Sequence, residues 1–148
     1  MTVLLSSTSS YYNSPRSVQI ADTLYDGVRS VDRREIIDND GIRKTVNYLD
    51  CKESEIVSYV VDNKVTRSSE YFTEPLTITL GNKTYSGVVS KTVIPGKYST
   101  YSINKPNGFF NTVRVRKNGS IVDMDALQRA LMIRKLKQPF VKLAAVIR

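Results

Sequence analysis

The sequence predicts an α+β protein that is mainly β, an antiparallel sheet of hairpins followed by a C-terminal helix. Three observations lead there. Turn-forming dipeptides punctuate the chain at short intervals, the runs between them are rich in Val, Ile, Thr and Tyr, and the composition changes abruptly at Asp123. β-Branched and aromatic residues suit a pleated, half-buried surface, and short runs of them between turns are the mark of hairpins.

Residues 1–17 are rich in Ser and Thr, carry Tyr11, Tyr12 and Pro15, and read as an extended N-terminal arm. Residues 18–148 read as one domain, a size that suits a single hydrophobic core. Asp38-Asn39-Asp40-Gly41, Asp62-Asn63, Gly81-Asn82, Pro95-Gly96, Pro106-Asn107-Gly108 and Asn118-Gly119 mark the turns. Asn, Asp and Gly tolerate the positive φ that tight hairpin turns demand. Between the turns, Leu76-Thr77-Ile78-Thr79-Leu80 alternates, as does Val113-Arg114-Val115-Arg116, so each run has one apolar and one polar face. The expectation is a meander of about six to eight strands with one wet face. No internal repeat and no heptad run stands out.

A helix is expected over about residues 123–138. Asp123 can accept hydrogen bonds from the free N–H groups of a first turn, and Asp125 suits the positive end of the helix dipole. Good helix formers follow, Arg134, Lys135 and Lys137 suit the negative end, and Pro139 ends or kinks the run. The apolar positions Met124, Ala126, Leu127, Ala130, Leu131, Met132, Ile133 and Leu136 do not keep to one stripe. A helix that is apolar on more than one side predicts a second chain packed against it. Residues 140–148 are apolar apart from Lys142 and Arg148 and read as helix or strand.

The composition narrows the chemistry. The 148 residues contain no His, one Cys and no Trp. Without His, Ser-His-Asp and Cys-His catalysis and the usual zinc ligand sets fall away. Cys51 reads as a small, partly buried apolar residue. Asp38-Asn39-Asp40-Gly41 fails as a calcium loop, because Ile36 and Asn47 stand where oxygen ligands are needed. The glycines are scattered singly, with no phosphate-loop spacing. The reading is therefore a protein that is not an enzyme and holds no cofactor or metal. No run is long enough to span a bilayer, and residues 3–5 are too short for a signal-peptide core, so no membrane partner is expected.

Charge layout supplies the positive signal. The formal net charge is +8; residues 1–80 contain 9 Lys and Arg against 12 Asp and Glu, whereas residues 81–148 contain 13 against 2. Such asymmetry points to an anionic partner, nucleic acid foremost. Arg114, Arg116 and Lys117 on one hairpin are the first candidate contacts, followed by Arg134, Lys135 and Lys137 on the helix. Lys83, Lys91, Lys97 and Lys105, interleaved with Tyr85, Tyr98 and Tyr101, would add phosphate contacts and stacking rings.

The order of elements, a Ser/Thr-rich N-terminus, Val/Thr/Tyr-rich hairpins and then a helix from Asp123 to Gln138, resembles the coat proteins of single-stranded RNA phages. The resemblance is one of architecture over most of the chain. It implies a single broad sheet, a dimer and an RNA-facing surface. The expectation is a virion structural subunit, a capsid or coat protein or a connector or tail component. It would assemble with itself and present a basic surface to the genome, RNA ahead of DNA, located in the virion and, during assembly, in the host cytoplasm. The alternative is a small cellular nucleic-acid-binding β-module.

Overall fold

The structure, a computed structural model, describes residues 1–137. It is one nine-stranded sheet in which every strand pairs antiparallel with its neighbours in sequence. The strands are β1 (Val3–Ile20), β2 (Thr23–Ile37), β3 (Arg43–Cys51), β4 (Ser54–Val61), β5 (Lys64–Leu80), β6 (Lys83–Ile94), β7 (Tyr98–Asn104), β8 (Phe110–Arg116) and β9 (Ile121–Asp123), followed by α1 (Met124–Lys137). The expected mainly-β class with a C-terminal helix is therefore what the chain adopts. Residues 138–148, including the expected terminal helix or strand at 140–148, lie outside the described residues.

Each expected turn falls between two strands, and the backbone shows why. Asp62 and Asn63 both take positive φ, 51° and 61°, as a two-residue hairpin loop requires. In the β2–β3 connection the Asp38 carboxylate accepts from the backbone N–H groups of Asp40 and Ile42, both at 2.9 Å, so this acidic cluster is a turn device.

Two expectations change. The segment 1–17 is extended, but residues 3–17 are not a separate arm: they belong to β1, which pairs with β2 along its length. Second, the chain does contain a repeat, sixty residues out of phase. Tyr25-Asp26-Gly27-Val28-Arg29-Ser30 and Tyr85-Ser86-Gly87-Val88-Val89-Ser90 share Tyr-x-Gly-Val-x-Ser, and Tyr11-Tyr12 with Pro15 match Tyr71-Phe72 with Pro75. The pairing confirms it. In the β1–β2 hairpin Tyr11 opposes Ser30, Arg16 opposes Val28 and Val18 opposes Tyr25. In the β5–β6 hairpin Tyr71 opposes Ser90, Leu76 opposes Val88 and Ile78 opposes Tyr85, with the same register shifts. Strands β1–β4 and β5–β8 are thus two copies of one four-stranded unit.

The core follows the repeat. Each long hairpin bends at its shifts and lays its tip over one face of the sheet. Under the first tip lie Tyr25, Val28, Val31, Leu49, Cys51 and Ile56, with Tyr12, Val18 and Ile20 packed on them. Under the second lie Tyr85, Val88, Ile103 and Val113, with Phe72, Ile78 and Leu80 in the places of Tyr12, Val18 and Ile20. Val28, Val88 and Val113 are fully buried, and each contributes about 1.5–3 kcal/mol by leaving water. The first tip is held where Val65 N–H donates to the Asp22 carboxylate (2.9 Å) and the Tyr25 hydroxyl hydrogen-bonds with the Ser58 and Ser68 hydroxyls. Gly87 makes the second bend possible: its φ is +77°, and a Cβ there would lie 2.3 Å from the Asn104 carbonyl oxygen.

Cys51 is buried, and desolvation first, then the nearby Glu70 and Asp50 carboxylates, push its thiol up to about 11. It is a core residue in its thiol form.

Candidate nucleic-acid interface

The bent hairpins cover one face and leave the other open except at Val46 and Ser69, which are buried. Strand alternation and the observed register assign side chains to it. On β2–β4 it carries Ser30, Asp32 and Arg34, then Lys44, Val46, Tyr48 and Asp50, then Glu55, Val57 and Tyr59. On β5–β8 it carries Arg67, Ser69 and Tyr71, then Ser90, Thr92 and Ile94, then Tyr98, Thr100 and Ser102, then Thr112, Arg114 and Arg116.

The two copies differ sharply in charge. In the first, cations are matched: Arg34 pairs with Asp32 at 3.1 Å, and Lys44 with Asp38 at 2.7 Å. In the second, no carboxylate points to the open face from residues 67–71, 90–94, 98–102 or 112–116. Among the described residues Arg67, Arg114 and Arg116 make no ion pair. The sequence-level charge asymmetry becomes a positive, hydroxyl-rich half of one sheet face. Guanidinium groups there can take phosphates, because no described carboxylate already pairs with them.

Tyrosines are paired with these cations. The Arg114 guanidinium carbon sits 4.0 Å from the Tyr98 ring centroid, and Arg67 sits 6.0 Å from Tyr59. Arg34 lies 4.9 Å from Tyr48. Cation–π contact orients the fork and keeps its N–H groups outward. Tyr71 is 52% exposed on the same face, across from Glu55 of β4, and offers a stacking platform for an unpaired base.

Of the candidate contacts, the structure brings Arg114 and Arg116 together on the open face of β8. Lys117 follows them in the β8–β9 turn, where its backbone N–H donates to the Lys97 carbonyl at 3.0 Å. Arg134 is exposed on α1, and Lys135 and Lys137 lie in the last turn of that helix. The helix starts from Asp123 and Asn111, whose side chains face the covered side. Sequence reasoning missed Arg67, which register alone brings beside Ser69 and Tyr71. Three of the four expected supporting lysines are used elsewhere: Lys83 pairs with Asp123 at 2.9 Å, Lys105 pairs with Asp125 at 2.5 Å, and Lys91 rests on Tyr101 on the covered face.

The helix anchor is the tightest polar cluster. Asp123 accepts from the Ala126 N–H as the N-cap, from Asn111, from Lys83 and from the Tyr85 hydroxyl, at 2.9–3.1 Å. Burial pushes its carboxyl pKa up, and these four donors outweigh that and hold it well below the usual carboxylate range. Beyond the anchor, Leu127, Leu131, Met132 and Ile133 of the helix are all exposed. Comparison with protein-family models, curated proteins and solved structures returned no match.

Proposed function

We propose that this protein is a virion structural subunit that self-associates and turns the open face of its β5–β8 half toward the viral genome. The observation that carries this reading is the carboxylate-free face bearing Arg67, Arg114 and Arg116 among Ser, Thr and Tyr side chains. Arginines supply sequence-independent phosphate contacts, and the hydroxyls and Tyr71 supply hydrogen bonds and stacking that suit single-stranded RNA. A broad sheet with one polar face, closed by a helix, is also what the resemblance to single-stranded RNA phage coat proteins implies. The uncovered apolar residues of α1 support assembly, since a surface helix of a monomer shows a cleaner division.

The test is size-exclusion chromatography with light scattering, reading absorbance at 260 and 280 nm across the peak. The expected result is an assembly far above the 16.7 kDa chain that carries nucleic acid. Arg114→Glu with Arg116→Glu should strip the nucleic acid. A monomer free of nucleic acid, or retention unchanged in the double variant, would overturn the reading.

A further inference from the structure

The internal repeat gives the outer edge of β1 a template. Strand β1 is the first-copy equivalent of β5, and β5 is not an edge strand: residues 64–72 of β5 pair along their outer side with β4. The equivalent stretch of β1 is residues 4–12, which has β2 on one side and, among the described residues, no strand on the other. It carries a row of unpaired backbone N–H and C=O groups in a conformation that, sixty residues later, takes a partner.

Among the described residues, little beyond a register shift between Leu4 and Ser6 guards that edge. The first charged side chain in the sequence is Arg16, the first proline is Pro15, and Leu4 and Tyr11 are 59% and 81% exposed. Lysines, prolines and short length are the usual protections of an edge strand, and residues 4–12 have none of them. The opposite edge is guarded. Strand β8, the equivalent of β4, is occupied at Val113, Arg114 and Val115 by β9, and the chain then turns away into α1 at Asp123. Head-to-tail addition of one copy to the next is thereby hindered, because three residues of the strand that would mimic β4 are already covered.

We infer that the β1 edge of one molecule pairs antiparallel with the β1 edge of a second copy across a two-fold axis, joining two sheets into one continuous sheet. The paired stretch copied from β5 is centred on Thr8. With Thr8 at the axis, Ser6 faces Ser10 of the other copy and Ser7 faces its Ser9. Hydroxyl against hydroxyl is a favourable cross-strand pairing. A two-fold across the strands makes the pairing antiparallel, as β4 and β5 already are. The inference specifies the self-association proposed above, and it holds whether or not the open face meets nucleic acid.

The test uses single cysteines in a Cys51→Ser background, oxidised at micromolar concentration. Directly opposed residues in an antiparallel pair have Cα atoms about 4.5–5.5 Å apart, within disulfide reach. Thr8→Cys should yield at least about tenfold more disulfide dimer than Arg16→Cys or the helix variant Met132→Cys. In the otherwise native chain, Ser6→Lys with Ser10→Lys opposes like charges across the axis and should halve the particle mass seen by light scattering. An unmodified protein that associates, yet shows no Thr8→Cys dimer and no mass change with the lysines, would overturn edge pairing while leaving self-association standing. An unmodified protein that is monomeric at tens of micromolar would overturn both, and binding of an RNA oligonucleotide by that monomer would show the open-face reading intact.

Discussion

The Tyr85 hydroxyl donates to the Asp123 carboxylate at 2.9 Å, joining the tip of the β5–β6 hairpin to the residue that caps the helix. One carboxylate therefore fixes the bent hairpin, the last strand and the start of α1. Asp123→Ala removes the cap and strands the Tyr85 hydroxyl and the Asn111 amide. The expected cost is about 2–4 kcal/mol, read as the midpoint shift in urea unfolding. Asp123→Asn, which keeps an acceptor, should cost less.

The same contact predicts a pH profile with two falling limbs. Asp123 is held below its ordinary value when folded, as are Asp22, Glu35 and Asp38. The unfolded chain therefore takes up protons first as pH falls. Stability is full above pH ~5 and is lost progressively below it. At the alkaline end, burial and the neighbouring Asp123 push Tyr85 up to about 12. That raised group protects the fold below pH ~10 and ceases to do so as pH climbs through its folded value. Thermal midpoints from pH 2 to 12 check both limbs, and Tyr85→Phe should flatten the alkaline one.

Gly27 and Gly87 are equivalent in the repeat but should tolerate alanine unequally. Both have positive φ, +68° and +77°, yet a Cβ at Gly27 meets nothing within 4 Å while one at Gly87 strikes the Asn104 carbonyl. Gly27→Ala should cost about 1 kcal/mol, the backbone term alone. Gly87→Ala should cost more than about 2 kcal/mol and loosen the second core. Equal midpoint shifts for the two would refute the assigned bend at Gly87.

Arg67 gives the open-face reading a test independent of the residues named from sequence. Arg67→Ala should lower the affinity for a single-stranded RNA oligonucleotide and reduce the slope of log affinity against log salt by about 0.7, one lost phosphate contact. Arg34→Ala, on the mixed-charge half, should leave the slope unchanged. Fluorescence anisotropy at several salt concentrations separates them.

Cys51 should be inert. With its thiol pushed up to about 11 by burial, folded protein at pH 8 should react with an aromatic disulfide reagent at least about a hundredfold more slowly than unfolded protein. Fast reaction would mean that the first core opens.

The sequence by itself determined the class, the turns and the cap. Asn118-Gly119, Asp62-Asn63 and Asp123 act through their own side chains and backbone within a few residues, so local chemistry settles them. It also determined that Arg114 and Arg116 share a face, because strand alternation is local too. Tertiary structure decided what depends on register. The Tyr-x-Gly-Val-x-Ser repeat is sparse in letters, and it became visible when two hairpins showed identical pairings and shifts. Residues 1–17 look like a tail until β2 is placed beside them, since a strand without charge or strong alternation takes its meaning from its neighbour. Lys83 and Lys105 looked like free cations because their partners, Asp123 and Asp125, lie 40 and 20 residues away and meet them only after the sheet has formed. Hydrogen bonding between strands, which no local pattern encodes, set which charges were cancelled and which were left facing out.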